Sequence, residues 1–307
     1  MLTNQEIRDL SGTCVWPTVS ALLVDWGLIA ASFALAATFT NPLVRVLCFV
    51  LIARQQLALA ILMHDAAHKR LFSSVKLNDF VGQFLCAAPL LFSMYSYRTL
   101  HLRHHKDPLA SDDPDLTLIG GYPISLKSFS RKLLRDALGI SYFKFIRYFI
   151  HMARKPKAIA GTSGQPSNRS GSEKPAPLPL ILGSIALMNI VLFLILAAAH
   201  HPWFYFCLWL LPAVTALQVL LRIRGIAEHA GYSANKNQML NARTVESSWQ
   251  TLLFAPHSVN YHIEHHVYPS IPHYNLKRVH DLLAARNALP QANLFAGYNK
   301  VLQVLIK

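Results

Sequence analysis

The chain has 307 residues, of which 53% are hydrophobic and only 14% charged, with a mean hydropathy of +0.30 and a formal net charge of +14. That balance points to a protein with several membrane spans, whose positive charge marks cytoplasmic loops and contact with anionic headgroups. No basic module separates from the apolar segments, so nucleic acid is excluded as a partner. The cysteines Cys14, Cys48, Cys86 and Cys207 form no CxxC pair, which argues against both a zinc knuckle and a disulfide framework.

In chain order, Met1 to Trp16 lacks the basic start of a signal peptide, and the apolar segment behind it is long enough to be retained as a span. Four spans are predicted, at about 17–39, 42–63, 178–199 and 203–221. Two very short connections, Thr40-Asn41 and His200-His201-Pro202, make them two hairpins. Neither connection holds Lys or Arg, whereas 26 of the 29 basic residues lie in Lys69–Lys174 and Arg222–Lys307. The positive-inside rule then puts both long segments and both termini in the cytoplasm, with the chain in the cell (inner) membrane.

The expected fold is therefore an all-α membrane protein. Its four transmembrane helices form two hairpins under a cytoplasmic helical cap, 64–177 and 222–307, and residues 1–307 form a single domain. Phe80–Tyr97 is apolar and nearly long enough to cross, but Pro89 interrupts it, and it reads as a re-entrant or interfacial segment. Ile140–Lys155 mixes aromatic and basic residues like an interfacial helix. Lys157–Pro177 is rich in Ser, Gly and Pro and reads as a flexible linker. Asp25 in the first span and Arg54 in the second fall at similar depth. They are expected to form an ion pair, with Gln55 or Gln56 completing its hydrogen bonds.

The histidines are the informative residues. His64 and His68 are spaced HxxxH, while His101, His104, His105 and His262, His265, His266 both read HxxHH. On a helix these spacings gather side chains toward one face. Each box should therefore present its imidazoles as a cluster, and the eight together read as one metal centre. Neutral imidazole suits iron, zinc and copper. Carboxylates near such ligands fix their tautomer and orientation, and Asp65, Asp113, Asp115, Glu228 and Glu264 are candidates. The remaining histidines read as bland. His200 and His201 fall on the opposite side of the membrane, and His151 lies on the interfacial helix. His273 and His280 read as structural, and His257 lies off the helical face of the third box.

These boxes resemble those of the membrane fatty acid desaturase superfamily, over about Met63 to Leu282. The likeness rests on His64-Asp65-Ala66-Ala67-His68, His101-Leu102-Arg103-His104-His105 and His262-Ile263-Glu264-His265-His266. Tyr268-Pro269-Ser270-Ile271-Pro272 and the Asp113-Pro114-Asp115 turn resemble the family's usual continuations. The resemblance implies two non-haem iron ions held by the eight box histidines, with O2 as co-substrate. Glu228-His229-Ala230-Gly231 resembles the segment that adds an imidazole in related alkane hydroxylases, which makes His229 a ninth ligand. Gly225 stands where the acyl-CoA branch has an Asn.

The function expected is insertion of a double bond into a fatty acyl chain. His262 stands where front-end desaturases carry Gln, which argues against that branch. A di-iron hydroxylase or ketolase acting on a carotenoid or alkane is the alternative enzyme. A non-enzymatic membrane metal- or haem-binding protein is the alternative outside catalysis, and boxes lying beyond the span ends count against it. With no HPGG haem motif, no GxGxxG and no cluster of cysteines, electrons must come from a separate carrier. A ferredoxin, or a cytochrome b5 type carrier with its reductase, would serve.

Overall fold

The computed structural model describes residues 1–153 and 176–307. The expected linker 157–177 lies outside them, apart from its last two residues. Among the described residues the chain is mostly helical, and four helices are long and apolar enough to cross a membrane: Val15–Thr38, Pro42–Ala67, Leu178–Ala198 and Tyr205–His229. They are called here the first to fourth apolar helices. The second and fourth run past the predicted span ends. Nothing in Met63–Ala67 or Arg222–His229 breaks a helix as Pro would, and these extra turns carry His64 and His229 beyond the predicted span ends.

Long stretches of these helices face outward. The third exposes Leu182, Leu187, Ile190, Leu194 and Ile195, each more than half accessible. Such a continuous apolar face suits hydrocarbon rather than water. The inward faces pack tightly. Ala53, Leu57 and Ile61 of the second helix meet Leu217, Leu220 and Ile226 of the fourth in one buried cluster. Full burial of each large side chain is worth about 1.5–3 kcal/mol.

Between the second helix and the next box lies a bent pair, Val75–Leu90 and Met94–Lys106, meeting at 99°. The bend falls just after Pro89, with Leu91 in the left-handed region at φ 60°. A break there strips backbone groups of helical partners, and in an apolar layer each must find another. Deep polar side chains supply them. Trp209 Nε1 donates to Pro89 O at 3.0 Å, Asn189 Nδ2 to Ala88 O at 2.9 Å, and Gln83 Oε1 accepts from Met94 N at 2.9 Å. Gly82 lets this segment lie against the second helix, because a Cβ there would sit 2.4 Å from Ala66 Cβ.

Asp25 and Arg54 do not form the expected direct pair. Gln55 stands between them, donating to Asp25 Oδ1 at 3.2 Å and accepting from Arg54 Nη1. Each charge instead reaches the segment before the third box. Arg54 Nε donates to Leu252 O at 2.9 Å, and Asp25 Oδ2 lies 2.7 Å from His257 Nε2. Depth was the right guide to their proximity. The partners come from a stretch some two hundred residues away, which spacing within the hairpin does not disclose.

A buried pair does form between Arg222 of the fourth helix and Asp136 of the helix Leu126–Ala137, with Nε on Oδ2 and Nη2 on Oδ1 at 3.1 Å. The side chains are 8% and 1% exposed. Arg222→Leu or Asp136→Leu alone should cost about 3–5 kcal/mol, because each strands a buried charge, and the double variant should recover part of the loss. Thermal unfolding of the four proteins in detergent measures this. Additive losses in the double variant would mean that the two groups act independently.

Candidate metal centre

The first box lies on the last turn of the second apolar helix, with His64 within it and His68 at its C-cap. The second lies near the end of Met94–Lys106, and the third on the short helix His262–Val267. Arg98 ties the first two together. Its Nη2 donates to Ala66 O at 2.8 Å and its Nε to Ala67 O at 3.0 Å, both carbonyls of the last helical turn. The helix His273–Ala285 supports the third box from below, through Leu276, Val279 and Leu283 packed against Ile263 and Tyr268.

All nine expected histidines converge, but not as one cluster per box. One nest gathers His64, His68, His101, His105 and His265, and a second gathers His104, His229 and His266. His262 joins the second, its Nε2 lying 2.8 Å from His229 Nε2. Helical geometry explains the split. His101 and His105 differ by about 40° around their helix, whereas His104 lies about 100° from His105. The same arithmetic sends His262 and His266 one way and His265 the other. Each HxxHH box therefore divides its imidazoles between the nests, while HxxxH delivers both to the first. The nests adjoin where the His105 and His266 rings stack at 4.2 Å between centroids.

The ring nitrogens show what the nests fit. Nε2 of His101 lies 2.9 Å from that of His68 and 3.1 Å from that of His105, and His265 lies 3.0 Å from His105. In the other nest, His104 Nε2 lies 3.2 Å from His229 Nε2. The opposite nitrogen of two rings is committed as a donor. His229 Nδ1 donates to Asn241 O at 2.8 Å, and His104 Nδ1 to Asp113 at 2.9 and 3.0 Å. Both Nε2 atoms then carry lone pairs that face other nitrogens, an arrangement a cation would satisfy. His64 Nε2 and both nitrogens of His266 are buried with no hydrogen-bond partner. Burial, reinforced by the neighbouring imidazoles, holds His101, His105, His262, His265 and His266 well below the ordinary imidazole range. His68 is pushed down to about 3 for the same reasons. These six rings are neutral, the form that binds a metal, whereas at His104 burial is outweighed by the bond to Asp113, which raises it above the ordinary imidazole range.

The five carboxylates differ in what they reach. Asp113 is fully buried against His104, while Asp115 is half-exposed and 3.7 Å from the same ring. Asp65 Oδ1 lies 3.4 Å from His64 Nδ1, and its Oδ2 accepts from His273 through N and Nδ1 at 3.0 and 2.8 Å. Glu228 bonds Arg224 at 2.7 Å and lies 3.5 Å from His262 Nδ1, which has no hydrogen bond. Glu264 touches Thr244 at 2.5 Å and His280 at 2.6 Å rather than a box imidazole.

Several residues outside the boxes prove to be part of the surroundings. Tyr97 OH lies 3.3 Å from His101 Nδ1, and its spacing of four on one helix is a signal legible in sequence. Asn241 offers no such signal, because it acts through its backbone. His273 and His280 stand behind Asp65 and Glu264. His257 meets His273 edge to face, with ring centroids 5.2 Å apart. At Gly225, a Cβ would lie 2.7 Å from Leu118 Cδ2, so an Asn there would have to displace Leu118.

Known proteins carry related chains. A ferredoxin-dependent sn-1 acyl-lipid omega-3 desaturase of Synechocystis is 24% identical over 90% of this chain and 79% of its own length. A dihydrorhizobitoxine desaturase of Bradyrhizobium elkanii is 24% identical over 90% of this chain and 77% of its own. A beta-carotene ketolase of Paracoccus is 25% identical over 84% and 91%. The model of one family, fatty acid desaturase, matches residues 40–297, a stretch that contains both nests and every box, and the chain belongs to that family.

Proposed function

We propose that the protein is a membrane-bound di-iron oxidoreductase that uses dioxygen and external electrons to place a double bond in a fatty acyl chain. The observation that carries this reading is the pair of adjoining, buried imidazole nests in a chain of this family. In it, His64, His68, His101, His105 and His265 hold one iron, and His104, His229, His262 and His266 hold the other. When bound, such a centre supplies the means to oxidise an unactivated C–H bond with dioxygen, which no side-chain acid or base provides. The chain's own residues hold and orient. Asp113 and Asn241 O keep the Nδ1 proton on His104 and His229, Asp65 steadies His64, and burial keeps water out and His68, His101, His105, His262, His265 and His266 neutral.

Desaturation removes two hydrogens from the substrate, and full reduction of dioxygen to water needs two further electrons and two protons. A separate carrier must deliver those electrons. The Synechocystis relative's name favours a ferredoxin, with a cytochrome b5 type carrier as the alternative. A chain of net charge +14 would attract an acidic carrier.

The proposed topology has four spans in two hairpins. One domain, 1–307, carries a cytoplasmic cap with both termini and the iron site on that side of the inner membrane. The bent pair is re-entrant in this scheme. His68, ahead of it, and His101, in its second helix, meet at 2.9 Å, which supports a chain that leaves and returns on one side. The basic residues around the boxes support the cytoplasmic assignment.

The ketolase, matched over 91% of its length, supports a second reading in which a carotenoid is oxidised. Expression in a host that makes carotenoids but lacks desaturases separates the two. Mass spectrometry with double-bond localisation should find a new double bond in the acyl lipids. A ketocarotenoid with unchanged lipids would favour the second reading. Neither product from iron-loaded protein supplied with a carrier would sink both.

A further inference from the structure

The helical turn Thr251–Phe254, just ahead of the third box, exposes Leu252 at 72% and its neighbour Trp249 at 75%. Leu252 N donates to Trp249 O at 3.3 Å, which sets the two exposed residues one turn apart. The opposite side is packed inward, where the Phe254 and Tyr298 rings lie 5.0 Å apart. The depth of this turn is fixed by its partners. Leu252 O accepts from Arg54, twelve residues along the second helix from Pro42, or about 18 Å at helical rise. A hydrocarbon core is about 30 Å thick, so Arg54 lies about 12 Å inside its other boundary.

The first helix gives the same answer independently. His257 bonds Asp25, ten residues or about 15 Å from the start of that helix at Val15. Val15 and Trp16 are themselves exposed and apolar, at 58% and 71%. Lipid-facing surface thus continues past the level of Asp25 toward the metal side.

The turn also meets the condition an apolar layer sets on irregular backbone. Its amides are satisfied within the segment: Thr251 N on Ser248 O at 3.0 Å, Leu253 N on Gln250 O at 3.1 Å and Phe254 N on Gln250 O at 3.0 Å. Holding it there has a conformational cost. His257 and Ser258 both adopt the left-handed region, at φ 54° and 58°, which non-glycine residues seldom occupy without compensation. The Asp25–His257 contact supplies that compensation.

We propose that Trp249 and Leu252 form a membrane-inserted anchor that dips among the acyl chains of the metal-side leaflet. Arg54 and Asp25 hold it there, so the third box is referenced directly to the bilayer. The inference rests on the reading that the four apolar helices cross a membrane, and its test separates the two. Nitroxide labels would be attached at Leu252→Cys, at Leu194→Cys on the third helix and at Lys236→Cys as an aqueous control. The background would be full-length protein with Cys14→Ser and Cys207→Ser, reconstituted in phosphatidylcholine–phosphatidylglycerol liposomes.

Power saturation with oxygen and with a water-soluble nickel chelate reads the depth. The oxygen-to-nickel accessibility ratio at 252 should be severalfold above that at 236 and near that at 194. A ratio at 252 like that at 236, with 194 still oxygen-rich, would overturn the anchor alone. A nickel-accessible label at 194 would overturn the membrane reading. Spin–spin broadening between labels at 252 would show a second copy of the chain on this face and also overturn the proposal. Arg54→Gln should increase label mobility and lower the ratio at 252, and an unchanged signal would remove Arg54 as the tether.

Discussion

Replacing His265 with alanine should abolish product formation and lower bound iron, whereas replacing His200 and His201 together should leave both nearly unchanged. His265 is central to the first nest. Its ring lies 4.4 Å from that of His64 and 4.8 Å from that of His68, and its Nε2 lies 3.0 Å from His105 Nε2. Removal of an outer partner typically costs about 10–100-fold in metal affinity or activity, and a lost ligand should cost more. The division of the boxes sharpens the expectation. His265→Ala should strip iron from the first nest, and His229→Ala or His262→Ala should strip it from the second. Iron per chain should then fall by about half in each, while activity falls to background in all three. Elemental analysis of purified protein and product assays read the two quantities separately. Full activity or undiminished iron in His265→Ala would contradict a shared centre. His200 and His201 occupy the short connection between the third and fourth apolar helices, where His201 stacks on Phe204 at 4.7 Å.

The boxes were readable from sequence because their chemistry is local. A spacing of three or four residues places side chains on one side of any helix, whatever the helix packs against. The apolar helices were readable because about 20 residues of hydrocarbon leave few alternatives. How each box is shared between two nests is a different kind of fact. It depends on the rotation of Met94–Lys106 and His262–Val267 about their own axes, which packing against other parts of the chain sets.

The supporting contacts were mostly hidden. Asp65 reaches His273 and Asp25 reaches His257, each across more than two hundred positions, and no periodicity links such residues. Isolated charges in an apolar helix announce that a partner exists. They do not say which one, and Asp25 and Arg54 show the difference. Each met the loop ahead of the third box instead of the other, because that loop offers a carbonyl and an imidazole where water cannot. Glu264 is adjacent to His265 in sequence yet faces away from the nests toward His280, as the rotation of one residue along a helix requires.

Asp113→Asn should lower iron affinity or turnover by about 10–100-fold, while Asp115→Asn should change either by little. The two carboxylates stand two residues apart and both approach His104, so charge alone would treat them alike. Their surroundings separate them. The Asp113 side chain is 0% exposed, and every contact it makes is with a donor. His104 Nδ1 lies 3.0 Å from Oδ1 and 2.9 Å from Oδ2, Asp115 N donates to Oδ1 at 2.9 Å, and Leu109 N donates to Oδ2 at 2.7 Å. An amide has only one acceptor oxygen. Whichever way Asn were turned, its NH2 would face the amide of Leu109 or of Asp115, donor against donor, with no water to intervene. A buried group left so costs about 1–3 kcal/mol. Leu109 is held at φ 66°, a left-handed conformation that a non-glycine residue keeps only against a compensating contact. Losing that bond should release the turn and free the His104 ring to rotate. Asp115 by contrast is 47% exposed and 3.7 Å from His104, so its amide would still find water. Iron content, turnover and melting temperature of the two variants decide the matter. Equal effects from both would show that the local charge, and not the donor geometry around Asp113, holds His104 in place.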